Sequence, residues 1–243
     1  MKKPQVVALV ATLALVVLGK QYFRSATADD LRWLLAPTAK CVSVLTRTHF
    51  TFLPGAGYAD RDVHFLIAPV CAGLHFMLAA VLVLVLAWFG GLQGWRAVVE
   101  RVGLAVVVAY VATIVFNTLR IALSLELHAG GTLHEALGIV VYFAGLCALY
   151  AAARSLDDKS LPGARWIAIP VGVYLAITLV LPLVHGAGAR ADFANHAMWV
   201  LGGCLAVAIV LAGMLRLANH RTISRVDKSG ERPTRSTAYA VRR

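Results

Sequence analysis

Charged residues are scarce in this chain. Only 14% of its 243 residues are Asp, Glu, Lys or Arg, whereas 60% are apolar, and the mean hydropathy is +0.76. Soluble globular domains carry about 25% charged residues, so the composition excludes that class. Five runs contain no charged residue and are long enough to cross a membrane, which takes about 17–25 residues of helix. These runs are residues 63–95, 102–119, 136–153, 166–189 and 193–215.

A clear small-x-small cleavage site is also missing after the first apolar stretch, where Gly19 continues directly into Lys20. We therefore interpret this stretch as a retained helix rather than a removed signal peptide. The predicted fold class is all-α: one integral membrane domain, residues 1–219, forming a polytopic bundle of about six transmembrane helices. The expected crossings lie near residues 4–19, 68–89, 102–123, 136–153, 166–183 and 197–215.

Basic residues are distributed unevenly between the two sides of such a bundle. With six crossings, 15 of the 23 Lys and Arg residues fall on the side that holds both termini. Because short loops rich in Lys and Arg stay in the cytoplasm, both termini are predicted to be cytoplasmic. Residues 20–62 form the long first outer loop, with short interfacial helices expected at 31–35 and 42–45 and a turn at 54–57.

The remaining charge does not indicate nucleic-acid binding. The net charge is +11, but the cations lie in loops and tails rather than on one aromatic-rich soluble face. From residue 220 to 243, basic residues alternate with Ser, Thr, Gly and Pro. This pattern predicts a disordered cytoplasmic tail held near the anionic lipids of the bilayer.

Three reactive side chains occur at the ends of neighbouring apolar runs. Cys71 follows Pro69 near the start of the second crossing, and His134 opens the fourth. Arg120 lies about 18 residues beyond the inner start of the third, which is about 27 Å of helix. All three are therefore expected at the extracytoplasmic face, where a thiol, an imidazole and a guanidinium are the groups of a cysteine acyl-transfer enzyme. An arginine without a role is not expected, because insertion at a membrane helix centre costs about 2.5–3.5 kcal/mol.

Cys71 also has plainer interpretations. It would be an inert apolar cysteine, as Cys147 and Cys204 are expected to be in mid-helix, or it would form a disulfide with Cys41 in the same outer compartment. Two features favour a nucleophile instead. Small residues follow Cys71, and a helix N-terminus favours the thiolate.

Arg120 and His134 have alternatives as well. Arg120 would be a snorkelling arginine whose head reaches lipid phosphate, although Asn117 shares its helix face and is expected to support it. His134 opens a zinc-protease-like pattern, but Gly138 stands where the second histidine is required. No metal or cofactor is therefore expected. A zinc site would have to be completed by His64, His75 and His128.

Taken in order, these stretches resemble the exosortase/archaeosortase family. The likeness lies in Cys71-Ala72-Gly73-Leu74, in Asn117-Thr118-Leu119-Arg120-Ile121, and in His134 at the start of the next helix. It covers residues 63–150 closely, and the later crossings fit only by architecture. The Cys-Ala-Gly-Leu-His form is most similar to the small exosortase K branch.

The resemblance implies a membrane-embedded cysteine transpeptidase of the bacterial inner membrane. Its substrates would be exported proteins whose C-terminal tails carry a motif, often Pro-Glu-Pro, then a transmembrane helix and a basic cluster. Cys71 would form the acyl-enzyme, His134 would move protons, and Arg120 would stabilise the oxyanion with Asn117 behind it. The acyl group would pass to an unknown acceptor or to water.

A second hypothesis is a non-catalytic transporter or assembly factor. Arg120 and His134 would then handle an anionic substrate, and Cys71 would be dispensable. Transporters often carry internal symmetry between their two halves, and this sequence shows none.

Overall fold

A computed structural model of the chain describes residues 2–128, 131–156, 166–184, 186 and 193–229, and the side chains of these except 131–132 and 214–229. Eight α-helices and three β-strands lie in this part of the chain. The helices are α1 (Lys3–Ser25), α2 (Arg32–Thr46), α3 (Leu74–Ala87), α4 (Trp95–Glu126), α5 (Gly131–Leu156), α6 (Ala168–Leu175), α7 (Leu181–Val184) and α8 (Phe193–Ser229). The strands are β1 (Thr51–Leu53), β2 (Gly57–Asp60) and β3 (Phe65–Ile67).

Five helical stretches in the described part of the chain are long and apolar enough to cross a membrane: Lys3–Ser25, Pro69–Ala87, Trp95–Glu126, Leu133–Leu156 and Phe193–Gly213. They coincide with five of the predicted crossings, which confirms the helical, multi-pass character. The crossing predicted at 166–183 corresponds to a shorter apolar stretch, Ala168–Val184, where a π-helical turn separates α6 from α7. A total of six crossings therefore stays a prediction.

Helix α3 lies at the centre of the bundle, in contact with α1, α4, α5 and α6. Its sequence is apolar on every face. In its most apolar stretch 78% of the residues are buried, against 17% in the corresponding stretch of α1. A helix without a polar face is typically enclosed by other helices. Ala79 and Ala80 are almost fully buried, and such small side chains allow neighbouring helices to approach closely. The start of α3 is therefore held by protein on several sides.

The segment predicted to form the first outer loop, residues 20–62, differs from its prediction. In place of two short helices it contains one continuous helix, α2, which carries Pro37 in its second turn and buries its apolar face against α4. An antiparallel sheet in the order β1-β2-β3 follows, so the all-α expectation is wrong for this segment. The turn predicted at 54–57 is confirmed, because it joins β1 to β2. The aromatic pair Phe52 and Tyr58 faces across that hairpin, a cross-strand contact that stabilises short strands.

Asp60 ties the sheet together. Its side chain is 4% exposed and accepts three backbone N–H bonds, from His49 at 2.6 Å, Asp62 at 2.8 Å and Val63 at 3.3 Å. Burial by itself raises the pKa of Asp60, but the three donors outweigh it and the pKa lies below its usual value. In its ionised form, the Asp60 carboxylate therefore holds together the chain segment between α2 and β3.

The predicted disordered tail is helical where it begins. Helix α8 continues to Ser229, so residues 220–229 extend the helix, and residues 230–243 lie outside the described part of the chain. The reason is local: residues 220–229 contain neither Gly nor Pro, and the first of these is Gly230. Arg and Lys are good helix formers, so basic composition alone does not end a helix.

Candidate functional site

Cys71 ends a 3₁₀ turn, Pro69–Cys71, that follows β3 and is separated from α3 by Ala72 and Gly73. Its side chain is 7% exposed. Two residues later, Gly73 adopts φ +76°, and a Cβ there would lie 3.1 Å from Thr113 Cγ2 and 3.3 Å from the Tyr142 hydroxyl. The positive φ favours glycine and the space for a Cβ is tight, so the backbone near Cys71 packs closely against α4 and α5.

The expected alternative of a disulfide between Cys41 and Cys71 is not formed. Both thiols are free, with Cys41 exposed and Cys71 buried. Cys147 and Cys204 are also free and buried, within α5 and α8, as expected for inert mid-helix cysteines.

Asn117 connects α4 to the backbone of Cys71. Its side chain is fully buried, and its Nδ2 donates to the Cys71 carbonyl oxygen at 2.6 Å. Its Oδ1 accepts from the Tyr142 hydroxyl at 2.7 Å. Both ends of the amide are satisfied, so Asn117 fixes the position of Cys71 directly rather than only supporting Arg120.

Arg120 reaches α5 instead of extending alone towards headgroups. Its Nη2 lies 2.7 Å from His134 Nε2, and its Nη1 donates to the Tyr142 hydroxyl at a longer 3.4 Å. The guanidinium also lies over the Tyr142 ring, 5.4 Å from its centroid, which is a cation–π distance. Tyr142 therefore contacts both Arg120 and Asn117, and it links the two halves of the site.

The contacts of His134 define its tautomer. Arginine has only donors, so Nε2 accepts from Arg120 and the proton of the neutral ring lies on Nδ1. Nδ1 donates to Ser124 Oγ at 3.0 Å, and Ser124 Oγ donates to the Arg120 carbonyl oxygen at 2.9 Å. Ser124 thus orients the imidazole with its basic nitrogen towards the guanidinium.

Gly138 explains how Arg120 fits against α5. A Cβ at this position would lie 3.0 Å from Arg120 Nε, a nitrogen that is buried and has no hydrogen-bond partner in the described structure. The residue that breaks the zinc-protease pattern is therefore the one that leaves room for the guanidinium.

The described residues contain no group of three or more His, Cys, Asp and Glu side chains placed to hold a metal ion. Among the histidines considered for zinc, His64 and His128 lie in loops with positive φ. His75 lies in α3 and contacts the ring of Phe23 edge-on at 4.7 Å.

The structure therefore brings the three predicted motifs together in one network. Arg120 touches His134, and Asn117 holds the Cys71 backbone, while the Cys71 thiol makes no hydrogen bond within the described structure. Sequence reasoning missed Ser124 and Tyr142. A signal for Ser124 was available, since it lies four residues after Arg120 on the same helix face.

A cavity of about 440 Å³ opens beside the network. Arg120, Tyr142, Gly138 and Val70 lie on its wall, so it reaches the residue next to Cys71. It is large enough for a short peptide segment or a lipid headgroup, since small-molecule sites enclose about 300–1,000 Å³.

No family model matches this chain, and no curated protein and no solved structure matches it either.

Proposed function

We propose that this protein is a membrane-embedded cysteine transpeptidase that cleaves C-terminal sorting signals of exported proteins. The observation that supports it most is the hydrogen-bond network from Cys71 through Asn117 and Tyr142 to Arg120 and His134. A cluster of inert membrane residues would not need a buried amide on the backbone of the one cysteine at the helix start. The exosortase-like order of the motifs supports the same proposal.

The geometry suggests a resting state. Arg120 occupies the basic nitrogen of His134, so the imidazole is not free to take a proton from the thiol. A substrate carbonyl entering the cavity would draw the guanidinium towards its oxygen. That movement would free His134 Nε2, and binding would thereby assemble the active arrangement.

Four steps would then follow. The Cys71 proton passes to His134 Nε2, and the thiolate attacks the scissile carbonyl carbon. Arg120 stabilises the resulting oxyanion. The tetrahedral intermediate collapses to a thioester, and the leaving amine of the C-terminal tail takes the proton from His134. An acceptor nucleophile, or water, finally attacks the thioester, transfers a proton to His134 and restores the thiol.

We further propose a bacterial inner-membrane location with both termini in the cytoplasm. The cytoplasmic termini follow from the distribution of basic residues, and the bacterial inner membrane is what the resemblance implies. The site would then face the extracytoplasmic side, where an exported substrate would still be anchored by its own helix.

The experiment is co-expression with a substrate whose tail carries a motif, a transmembrane helix and a basic cluster. Cys71→Ala, Arg120→Ala and His134→Ala should leave the precursor uncleaved, whereas the control Cys41→Ala, at an exposed free thiol, should process it normally. A thioester adduct sensitive to neutral hydroxylamine should accumulate only when Cys71 is present. Normal processing by Cys71→Ala would overturn the proposal and favour the transport alternative.

A further inference from the structure

The cavity beside Arg120 is basic. Its wall carries three basic side chains, Lys20, Arg24 and Arg120, against one carboxylate, Glu135. None of the three forms an ion pair in the part of the chain that the structure describes, where the ion pair found is Arg96–Glu100. We call this space the basic cavity. Among the described residues on its wall, one carboxylate faces three cations, so a net positive charge remains.

Lys20 shows this most directly. Its ammonium donates to the backbone carbonyl of Ile177, inside the π-helical turn between α6 and α7. A carbonyl satisfies a donor but carries no net charge. Arg24 lies four residues further along the same face of α1, a helix with only 17% of its apolar window buried by protein. Cations beside hydrocarbon are costly unless an anion accompanies them.

Apolar side chains line much of the remaining wall, beside polar ones such as Gln21 and Thr178. The apolar ones include Val17, Ala79, Ile139, Ile177 and Pro182. A ligand that satisfies both parts carries an anionic oxygen group on an apolar body. Three basic side chains on the wall of one cavity suit an anionic phosphate group, whose oxygens accept charge-assisted bonds.

We propose that the basic cavity binds a phosphate group carried by an anionic membrane lipid, held by Lys20, Arg24 and Arg120. The lipid is favoured over free phosphate because apolar side chains line the same space. The proposal does not use the Cys71 thiol, so it goes beyond the proposed transpeptidase activity.

The test is lipid titration of the detergent-purified protein, followed by native mass spectrometry. Phosphatidylglycerol is compared with phosphatidylcholine of the same acyl chains. The wild type should bind phosphatidylglycerol about 10-fold more tightly, because phosphatidylcholine carries the same phosphate together with a fixed quaternary ammonium charge, which the three basic side chains repel. Lys20→Gln with Arg24→Gln should remove that preference.

The matched control is Lys40→Gln with Arg61→Gln, which removes the same charge from two exposed positions outside the basic cavity. It should keep the preference. Should the first double variant fail to fold, as judged by size-exclusion chromatography, the single Arg24→Gln variant at an exposed side chain provides the same comparison. We expect it to weaken phosphatidylglycerol binding about 3-fold, the loss of one of three charged donors.

Several results would overturn the proposal. Equal binding of the two lipids by the wild type would do so, as would equal losses in the cavity and control variants. Displacement of the lipid by millimolar inorganic phosphate would assign the site to free phosphate. Tighter binding of a carboxylate-rich peptide through Lys20 and Arg24 would assign it to a peptide. Cys71→Ala should bind phosphatidylglycerol like the wild type, so failure of the proposed enzyme activity leaves this test unaffected.

Discussion

Tyr142 provides the most stringent test of the network. Replacing Tyr142 with Phe keeps the ring and its stacking on Phe76, at 5.0 Å between centroids, and removes only the hydroxyl. That hydroxyl donates to Asn117 Oδ1 at 2.7 Å and accepts from Arg120 at 3.4 Å. Since Asn117 is 0% exposed, no water replaces the lost donor. The change therefore removes the two polar contacts of one hydroxyl and leaves the ring packing in place.

The expected magnitude follows from these contacts. A side-chain hydrogen bond between membrane helices contributes about 0.6 kcal/mol on average and about 1.7 kcal/mol at most. Leaving a buried acceptor unsatisfied costs about 1–3 kcal/mol. Tyr142→Phe should therefore lower the free energy of unfolding by about 1–3 kcal/mol. The assay is unfolding of the detergent-solubilised protein by titration with a denaturing detergent.

Tyr110→Phe is the matched control. The Tyr110 hydroxyl donates to the Trp33 carbonyl at 3.0 Å, its ring stacks on Trp33, and the bond is exposed. Because this bond lies at the exposed surface of the protein and not in the buried site, the control should change the free energy by less than about 0.5 kcal/mol. If the two variants lower the free energy of unfolding by the same amount, the Tyr142 hydroxyl does not stabilise the network between Arg120 and Asn117.

Two further predictions use other positions. Gly138→Ala should reduce substrate processing about 3- to 5-fold, because its Cβ would lie 3.0 Å from Arg120 Nε and shift the guanidinium by a few tenths of an ångström, where a full 1 Å misplacement costs up to about 100-fold. The control Gly103→Ala, with nothing within 4 Å of its Cβ, should process normally and gain about 0.5–1 kcal/mol of stability. An unchanged Gly138→Ala rate would contradict the fit. Because the pKa of Asp60 is lowered in the folded state, its contribution to stability is full above the unfolded pKa of about 3.9 and is lost as the pH falls through the lower folded value. The hydrogen-exchange rate of the β-sheet should therefore rise in that pH range. Asp60→Asn should abolish this pH dependence.

Much of the bundle was predictable because apolar runs report membrane helices directly. The same signal fails at 166–184, where the structure has a short interrupted stretch, and in the outer loop. There, strands of three or four residues carry too few positions for an alternating pattern to stand out. The two short helices expected at 31–35 and 42–45 are one, because α2 continues through Pro37.

The site was predictable in part for a different reason. Asn117 and Arg120 could be placed on one face of α4, since three-residue spacing fixes that relation within a helix. Contacts between helices depend on how α4 and α5 cross, and no spacing encodes that. Tyr142 lies eight residues after His134 and has no distinguishing neighbours. Its role appears only once Arg120 and Asn117 are seen on either side of its hydroxyl.

Helix α3 has a consequence for biogenesis. It has the highest hydropathy of the five membrane-length stretches, 2.6 against 1.9 for α1, yet it is the one most enclosed by protein. In the finished bundle this helix has little contact with lipid, so a less apolar sequence would also be tolerated at its position. Its hydrophobicity therefore matters earlier, when the nascent segment must enter the bilayer before α4 and α5 exist to surround it. The hydrophobicity of the segment that follows Cys71 thus serves membrane insertion first, and the other helices enclose the segment afterwards.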